Sequence, residues 1–215
     1  MWRHGLITQA RVRAAFEAVD RGHYAPGAAR AYQDAPQSIG HGATISAPHM
    51  HAAAAENVLG FMVPGGAARV LDVGSGSGYL THVLAELAGE GARVVGLEHV
   101  PALRDLGEAN MRRSQRGREL LESARVEFVL GDGRLGWEEE GGKWHVIHVG
   151  AAAKEVHPQL LAQLEAPGCM FIPVDDDEHG TSQHIWRIQQ DKDGNVSKKR
   201  LFQVRYVPLT DAPST

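Results

Sequence analysis

The run Val70-Leu71-Asp72-Val73-Gly74-Ser75-Gly76-Ser77-Gly78 constrains the fold of this chain more than any other stretch. A β-branched apolar segment ends in three glycines at alternate positions, and Tyr79 to Ala88 then carry apolar side chains at helical spacing. Strand, glycine turn and helix together open a nucleotide-type cofactor site. Glycine lets the backbone turn tightly and approach a ligand with no Cβ between them, and the helix N-terminus offers free N–H groups to a polar ligand. A second apolar segment, Arg93 to Leu97, ends in Glu98, 20 residues after Gly78, where a carboxylate is placed to hold ribose hydroxyls. An ordinary tight turn explains the glycines but not an acidic residue at that distance.

The surrounding pattern predicts an α/β fold: a doubly wound, mostly parallel sheet with helices on both faces, closed by a C-terminal antiparallel hairpin. We read residues 1–215 as one domain in three parts: a helical, substrate-loop extension (1–60), a cofactor-binding α/β core (68–173) and antiparallel strands (183–207). Helical spacing covers 8–20, with Thr8 as N-cap, and 47–60, with Pro48 in the first turn. Residues 21–51 are aperiodic, 101–123 read as a charged helix or helix pair, and 155–164 as a further helix. Strands are expected at 126–130, 144–149 and 170–174, and a hairpin at 183–190 and 196–207 around the turn Asp191 to Asn195.

Composition excludes several function classes. A net charge of −4 gives little electrostatic help to nucleic-acid binding. The single cysteine, Cys169, rules out an internal disulfide and a zinc cluster. The twelve histidines are scattered without metal-ligand spacing, so no metal site is expected. No apolar run reaches the roughly 20 residues of a membrane span, and the first residues lack the apolar core of a secretory signal, so the expectation is a cytoplasmic protein. Arg112, Arg113, Arg116 and Arg118 read as an exposed helix face, and Asp175 to Glu178 as a solvated loop.

The dinucleotide fingerprint G-x-G-x-x-G fails here, because Tyr79 occupies the sixth position. The spacing G-x-G-x-G, with Asp72 two residues ahead of it, resembles the first motif of the class I S-adenosylmethionine-dependent methyltransferases. That resemblance implies that Asp72 lies near the methionine part of the cofactor, that the glycines lie under it, and that Glu98 holds the ribose. Asp132, ending the apolar segment 126–130 in Gly131-Asp132-Gly133-Arg134, is implied as an adenine contact.

A more specific likeness covers residues 5 to about 211. The stretches PQSIG (36–40), ATISAPHMHA (43–52), LDVGSGSGYLT (71–81), GDGR (131–134), HVGAAA (148–153) and YVPLT (206–210) resemble the protein-L-isoaspartate (D-aspartate) O-methyltransferases. The likeness implies Ser46 as the active-site serine. It implies a cofactor shell of Ala43, Thr44, Ile45, Ser46, His51, Asp72, Gly74, Ser75, Gly76, Ser77, Gly78, Glu98, His99, Asp132 and Gly133, with Thr210 closing over the site. His41-Gly42 and the acidic stretch from Asp175 depart from the family pattern.

The implied reaction transfers a methyl group from S-adenosyl-L-methionine to the free α-carboxylate of L-isoaspartyl, and possibly D-aspartyl, residues, leaving S-adenosyl-L-homocysteine. The ester then re-forms a succinimide, which starts repair of the damaged protein. The implied partners are isoaspartyl peptides and proteins, with no nucleic acid or membrane, and the likeness favours a monomer. A carboxylate is already ionised at pH 7, so no strong base is required. We expect the Ser46 hydroxyl to hold one carboxylate oxygen. A small-molecule or RNA methyltransferase would share the cofactor shell but not the amino-terminal segment. A non-catalytic cofactor-binding protein would keep the fold alone.

Overall fold

A computed structural model of the chain describes residues 5–63, 66–176 and 182–209. The chain opens with a helix, α1 (Ala10–Ala18), and a short hairpin of β1 (Gln37–Gly40) and β2 (Ala43–Ile45), followed by α2 (Pro48–Val58). The main sheet then alternates with helices: β3 (Arg69–Val73), α3 (Tyr79–Ala88), β4 (Arg93–Glu98), α4 (Pro101–Met111), α5 (Gln115–Glu122), β5 (Val126–Leu130), β6 (Trp144–Val149), α6 (Pro158–Ala162) and β7 (Leu164–Asp175). The strands β8 (Gln183–Gln190) and β9 (Val196–Val204) complete it.

The seven strands are ordered β5-β4-β3-β6-β7-β8-β9. Pairing is parallel from β5 to β7 and antiparallel from β7 to β9. Chain order reverses between β3 and β6, and in open α/β sheets ligands bind beyond the C-terminal ends of the strands at such a switch point.

Two apolar clusters, one on each sheet face, follow the alternation of the strand residues. Val70, Val94, Val126 and Val146 join α1, α2, α3 and the buried Met111 and Leu120 on one face. Leu71, Val95, Val129 and Ile147 join Trp144, Leu160 and Leu164 on the other. Fully burying a side chain of this kind contributes about 1.5–3 kcal/mol, so the central strands carry much of the stability. Nine of the ten residues of α3 are buried, because α3 is covered by the sheet on one side and by α1 on the other. Among the described residues the second face carries the five-residue α6 as its one helix, and Trp137, Val156 and Leu209 from connecting segments pack there too.

Local expectations met three differences. Thr8 does not cap α1: its N–H and Oγ1 bind the Glu56 carboxylate at 2.9 and 2.6 Å, tying the chain to α2 instead. The aperiodic stretch 21–51 contains the β1–β2 hairpin, turned by Gly40, His41 and Gly42, all at positive φ (89°, 51° and 73°). The helix expected over 155–164 is confined to Pro158–Ala162, since Leu164 already pairs with Trp144 as the start of β7.

Candidate active site

The glycine loop leaves β3 with Gly74, Gly76 and Gly78 at φ of 75°, 46° and 79°. Gly74 and Ser75 donate to the Leu97 carbonyl at 2.8 and 3.2 Å, so the end of β4 fixes the start of the loop. Glu98 fixes its middle. Its Oε2 accepts from Gly76 N at 3.0 Å, and its Oε1 accepts from His99 N and Val100 N at 2.8 and 3.1 Å. Three backbone donors stabilise a buried carboxylate and still leave acceptor capacity on a group with about four lone-pair positions. Asp72, 1% exposed, accepts from Thr81 Oγ1 at 2.6 Å and from His148 Nδ1 at 2.7 Å, which places the His148 proton on Nδ1.

A cavity of about 260 Å³ opens over this loop. Val73, Gly74, Gly76, Leu97, Glu98 and His99 form one side, and Ala43 and Thr44 of the hairpin approach from the other. Gly133, Gly150, Ala151 and Val207 to Leu209 complete the wall. The C-terminal segment is stitched there by Ala152 N to Val207 O at 2.8 Å and Leu209 N to Ala152 O at 2.7 Å.

A second cavity, about 390 Å³, adjoins the first and contains Ser46, His49, Met50, Arg205 and Tyr206. Thr44, Gly150 and Val207 line both. A polar space of about 30 Å³, bounded by Ser46, His51, Asp72, Gly74, Ser75 and His148 among others, lies alongside. The buried Ser75 Oγ has no partner.

Ser46 precedes α2, but the N-cap is Ala47 and no side chain caps the helix, so the Ser46 hydroxyl is not spent on capping. It lines the same cavity as Tyr206. Burial pushes the Tyr206 phenol up to about 12, with the nearby Ser46 hydroxyl pulling the other way, so the phenol stays protonated at neutral pH. His49 is turned to Asp34, whose Oδ1 accepts from its N–H at 3.0 Å and lies 2.8 Å from its Nδ1.

The structure therefore brings Ala43, Thr44, Gly74, Gly76, Glu98, His99 and Gly133 to one cavity, and Ser46 to its neighbour. Ile45, His51, Asp72, Ser75 and Ser77 surround the small space beside them. Gly78 lies outside these cavities, against Gly107 and Phe128. Asp132 lies beside the first cavity with its carboxylate in an ion pair to Arg134 at 2.6 Å, which holds it below the usual carboxylate range. Thr210 falls outside the described residues. Reasoning from the sequence missed Arg21, the Asp72 contact of His148, and Tyr206. Tyr206 and His148 each carried a signal, as the first residues of the YVPLT and HVGAAA runs, and Arg21 carried none.

The residues present fit an adenosyl cofactor. An acid ends the second core strand, glycines at alternate loop positions leave the backbone bare toward the first cavity, and a Cβ on Gly74 would come within 3.7 Å of the Gly150 backbone, which lines both cavities.

The sheet, the glycine loop and the acid at the end of β4 define a class I S-adenosylmethionine-dependent methyltransferase. Residues 1–214 match the family described as protein-L-isoaspartate(D-aspartate) O-methyltransferase, and the chain belongs to that family. It is 45% identical over 206 residues to the protein-L-isoaspartate O-methyltransferase of Caenorhabditis elegans, covering 95% of this chain and 87% of that one. It is 43% identical over 209 residues to protein-L-isoaspartate O-methyltransferase 2 of Arabidopsis thaliana, covering 97% of this chain but only 65% of the longer plant protein. The crystal structure of the Plasmodium falciparum enzyme in complex with S-adenosyl-L-homocysteine superposes with a TM-score of 0.85 at 35% identity, covering 97% and 94% of the two chains.

Proposed function

We propose that the larger cavity receives the isoaspartyl side of the reaction, with Ser46 and Tyr206 holding the α-carboxylate. The chain is an enzyme that methylates L-isoaspartyl residues of damaged proteins, using S-adenosylmethionine, and so starts their repair. The observation that supports the placement is the wall of Thr44 and Gly150, shared by the glycine-loop cavity and the cavity containing Ser46. When bound, the cofactor supplies an activated methyl group on a sulfonium that leaves as a neutral thioether. We assign its cradle to Ala43, Thr44, Ile45, Gly74, Ser75, Gly76, Ser77, Glu98, His99 and Gly133, with Asp72 and His51 at the methionine end, Asp132 at the adenine and Thr210 as a closing residue.

The work left to the protein is alignment and exclusion of water, because the acceptor arrives ionised. Ser46 and Tyr206 are neutral hydroxyls, able to hold one carboxylate oxygen and leave the other free. His49, engaged by Asp34, is not placed as a base, and the reaction does not require one.

We read the protein as a cytoplasmic monomer that acts on flexible protein segments, D-aspartyl sites among them, and as one domain with the hairpin and α2 as its substrate extension. The arginines of α4 and α5 do not argue for a nucleic-acid partner, since each is held within the chain. Arg116 binds Glu86 and Glu90, Arg113 binds the His23 carbonyl, Arg112 binds Glu108 and Arg118 binds the Arg112 carbonyl.

Ser46→Ala tests the assignment. A hydrogen bond to a charged group is worth about 1.5–3 kcal/mol, so kcat for an isoaspartyl peptide should fall about 10- to 100-fold while S-adenosyl-L-homocysteine affinity stays within twofold. Loss of cofactor binding in equal measure would assign Ser46 to the cofactor shell alone.

A further inference from the structure

Arg21 lies in the 3₁₀ turn after α1 and is 1% exposed. Its guanidinium donates from Nε to the Ala31 carbonyl at 2.7 Å, from Nη2 to the Ser46 carbonyl at 2.7 Å, and from Nη1 to His51 Nδ1 at 3.0 Å. Its central carbon stands 5.0 Å from the centre of the Tyr79 ring, on the first residue after the glycine loop. No carboxylate pairs with it among the described residues, so the cation is stabilised by carbonyls, an imidazole and a ring face. One side chain thus ties the residue bearing the Ser46 hydroxyl, the helix α2 and the start of α3 together.

The contact with His51 has a chemical consequence. A guanidinium has donors only, so His51 Nδ1 must be the acceptor. The ring is then neutral and its proton sits on Nε2, away from Arg21. The ring lines the small polar space that it shares with Ser46, Asp72 and Gly74. The groups facing His51 come from four elements besides its own. Arg21 comes from the 3₁₀ turn, and Tyr79 of α3 lies at 5.1 Å between ring centres. His148 of β6 carries its Nδ1 proton toward Asp72 of β3, whose carboxylate already has two donors, and His49 belongs to α2 itself. Burial foremost, then Arg21, His148 and His49, disfavours a protonated His51.

We infer that Arg21 is a positioning residue: it holds His51 as a neutral Nε2–H donor and Ser46 by its main chain, so that the imidazole presents no positive charge to the small polar space beside the glycine loop. This rests on the methyltransferase reading, and it separates the two forms of the cofactor. S-adenosylmethionine carries a positive sulfur and S-adenosyl-L-homocysteine does not, so a charged His51 would weaken the first and spare the second.

Nitrogen NMR of the ¹⁵N-histidine-labelled chain tests the first half, with His51 assigned by its absence from the His51→Gln spectrum. The expected result is a neutral Nε2–H ring from pH 8 down to pH 5.5. An Nδ1–H ring, or titration inside that range, overturns the inference. Calorimetry tests the second half on wild type, Arg21→Met and Arg21→Met/His51→Gln. Without Arg21, and with water admitted, His51 returns toward its ordinary value of ~6.5 and is about three-quarters protonated at pH 6. In Arg21→Met the affinity for S-adenosylmethionine relative to S-adenosyl-L-homocysteine should therefore drop about fourfold from pH 8 to pH 6. Wild type and the double variant should show no such drop, and a flat ratio in Arg21→Met overturns the inference. If Arg21→Met does not fold, the wild-type spectrum decides. Failure of the methyltransferase reading itself would show separately, as wild type transferring no methyl group to an isoaspartyl peptide whatever the His51 tautomer.

Discussion

Adding one methyl group at Gly74 or at Gly78 should damage the protein in two different ways, although the two residues belong to one loop and share nearly the same φ, 75° and 79°. Both alanines bear the left-handed penalty of about 1–2 kcal/mol. At Gly78 the new Cβ would stand 2.8 Å from the Gly107 carbonyl oxygen, 3.0 Å from Gly107 Cα and 3.0 Å from Phe128 Cζ, with backbone on one side and a buried ring on the other. Overpacking of that kind costs about 1–3 kcal/mol more, so Gly78→Ala should lose about 2–5 kcal/mol in all. At Gly74 the nearest atoms are those of the Gly150 backbone, at 3.7 Å or beyond, an ordinary contact. Gly74→Ala should therefore lose only the backbone penalty in stability, but it places its methyl at the wall between the cavities. Urea unfolding followed by circular dichroism, with calorimetric titration of S-adenosyl-L-homocysteine, reads both quantities. We expect Gly74→Ala to keep most of its stability and lose at least tenfold in affinity. Gly78→Ala should lose more than twice as much stability, while its folded fraction binds within severalfold of wild type. If Gly74→Ala binds normally and unfolds as easily as Gly78→Ala, the loop serves the fold and the cavity above it is not the cofactor site.

Glu98→Gln replaces an oxygen by an NH₂ among three backbone N–H donors; the unmatched contact should cost about 1–3 kcal/mol of stability and lower S-adenosyl-L-homocysteine affinity at least tenfold, both readable in the same titrations. His82 is buried and bonded through Nδ1 to the Tyr24 hydroxyl, and burial lowers it to about 4. Its folded value lies below its unfolded one, so the stability of the neutral ring is complete above about pH 6.5 and is lost as pH falls toward 4, on the order of 3 kcal/mol. The urea midpoint of His82→Gln should therefore fall less between pH 7 and pH 4.5 than that of wild type; an identical slope would show that His82 does not drive the acid limb.

The parallel core is legible in the sequence because its strands are buried on both faces and read as apolar runs, and the glycine loop is legible because few side chains tolerate three positive φ values in five residues. The β1–β2 hairpin is not, since strands of four and three residues with half-exposed faces leave no period to detect. Yet this hairpin carries Thr44 to the boundary of the two cavities. The second layer of the site was equally hidden. His148 lies 76 residues from Asp72, and Arg21 lies 30 from His51, and neither pairing leaves a trace in local spacing. Asp132 shows a different limit. Its place after β5 was readable, but the direction of its carboxylate is set by Arg134 two residues on.

The charges around the site follow from what methyl transfer does to charge. An anionic acceptor and a cationic donor become a neutral ester and a neutral thioether, so charge disappears along the reaction. A fixed cation in contact with the reacting carboxylate would hold the ground state more tightly than the transition state and slow the step. The neutral hydroxyls proposed to hold the acceptor, Ser46 and Tyr206, would avoid this, and the buried Arg21 turns its donors to main chain and His51. Arg205 lines the cavity proposed for the acceptor but is exposed. There a cation can draw in an anionic peptide without surviving as a strong contact in water. Arg205→Gln should accordingly raise KM for an isoaspartyl peptide about two- to fivefold at low salt, leave kcat within twofold, and lose the difference at about 0.5 M salt, where the screening length falls to a few ångströms. A fall in kcat larger than the rise in KM would place the guanidinium on the reacting carboxylate in the transition state, and the argument from vanishing charge would fail with it.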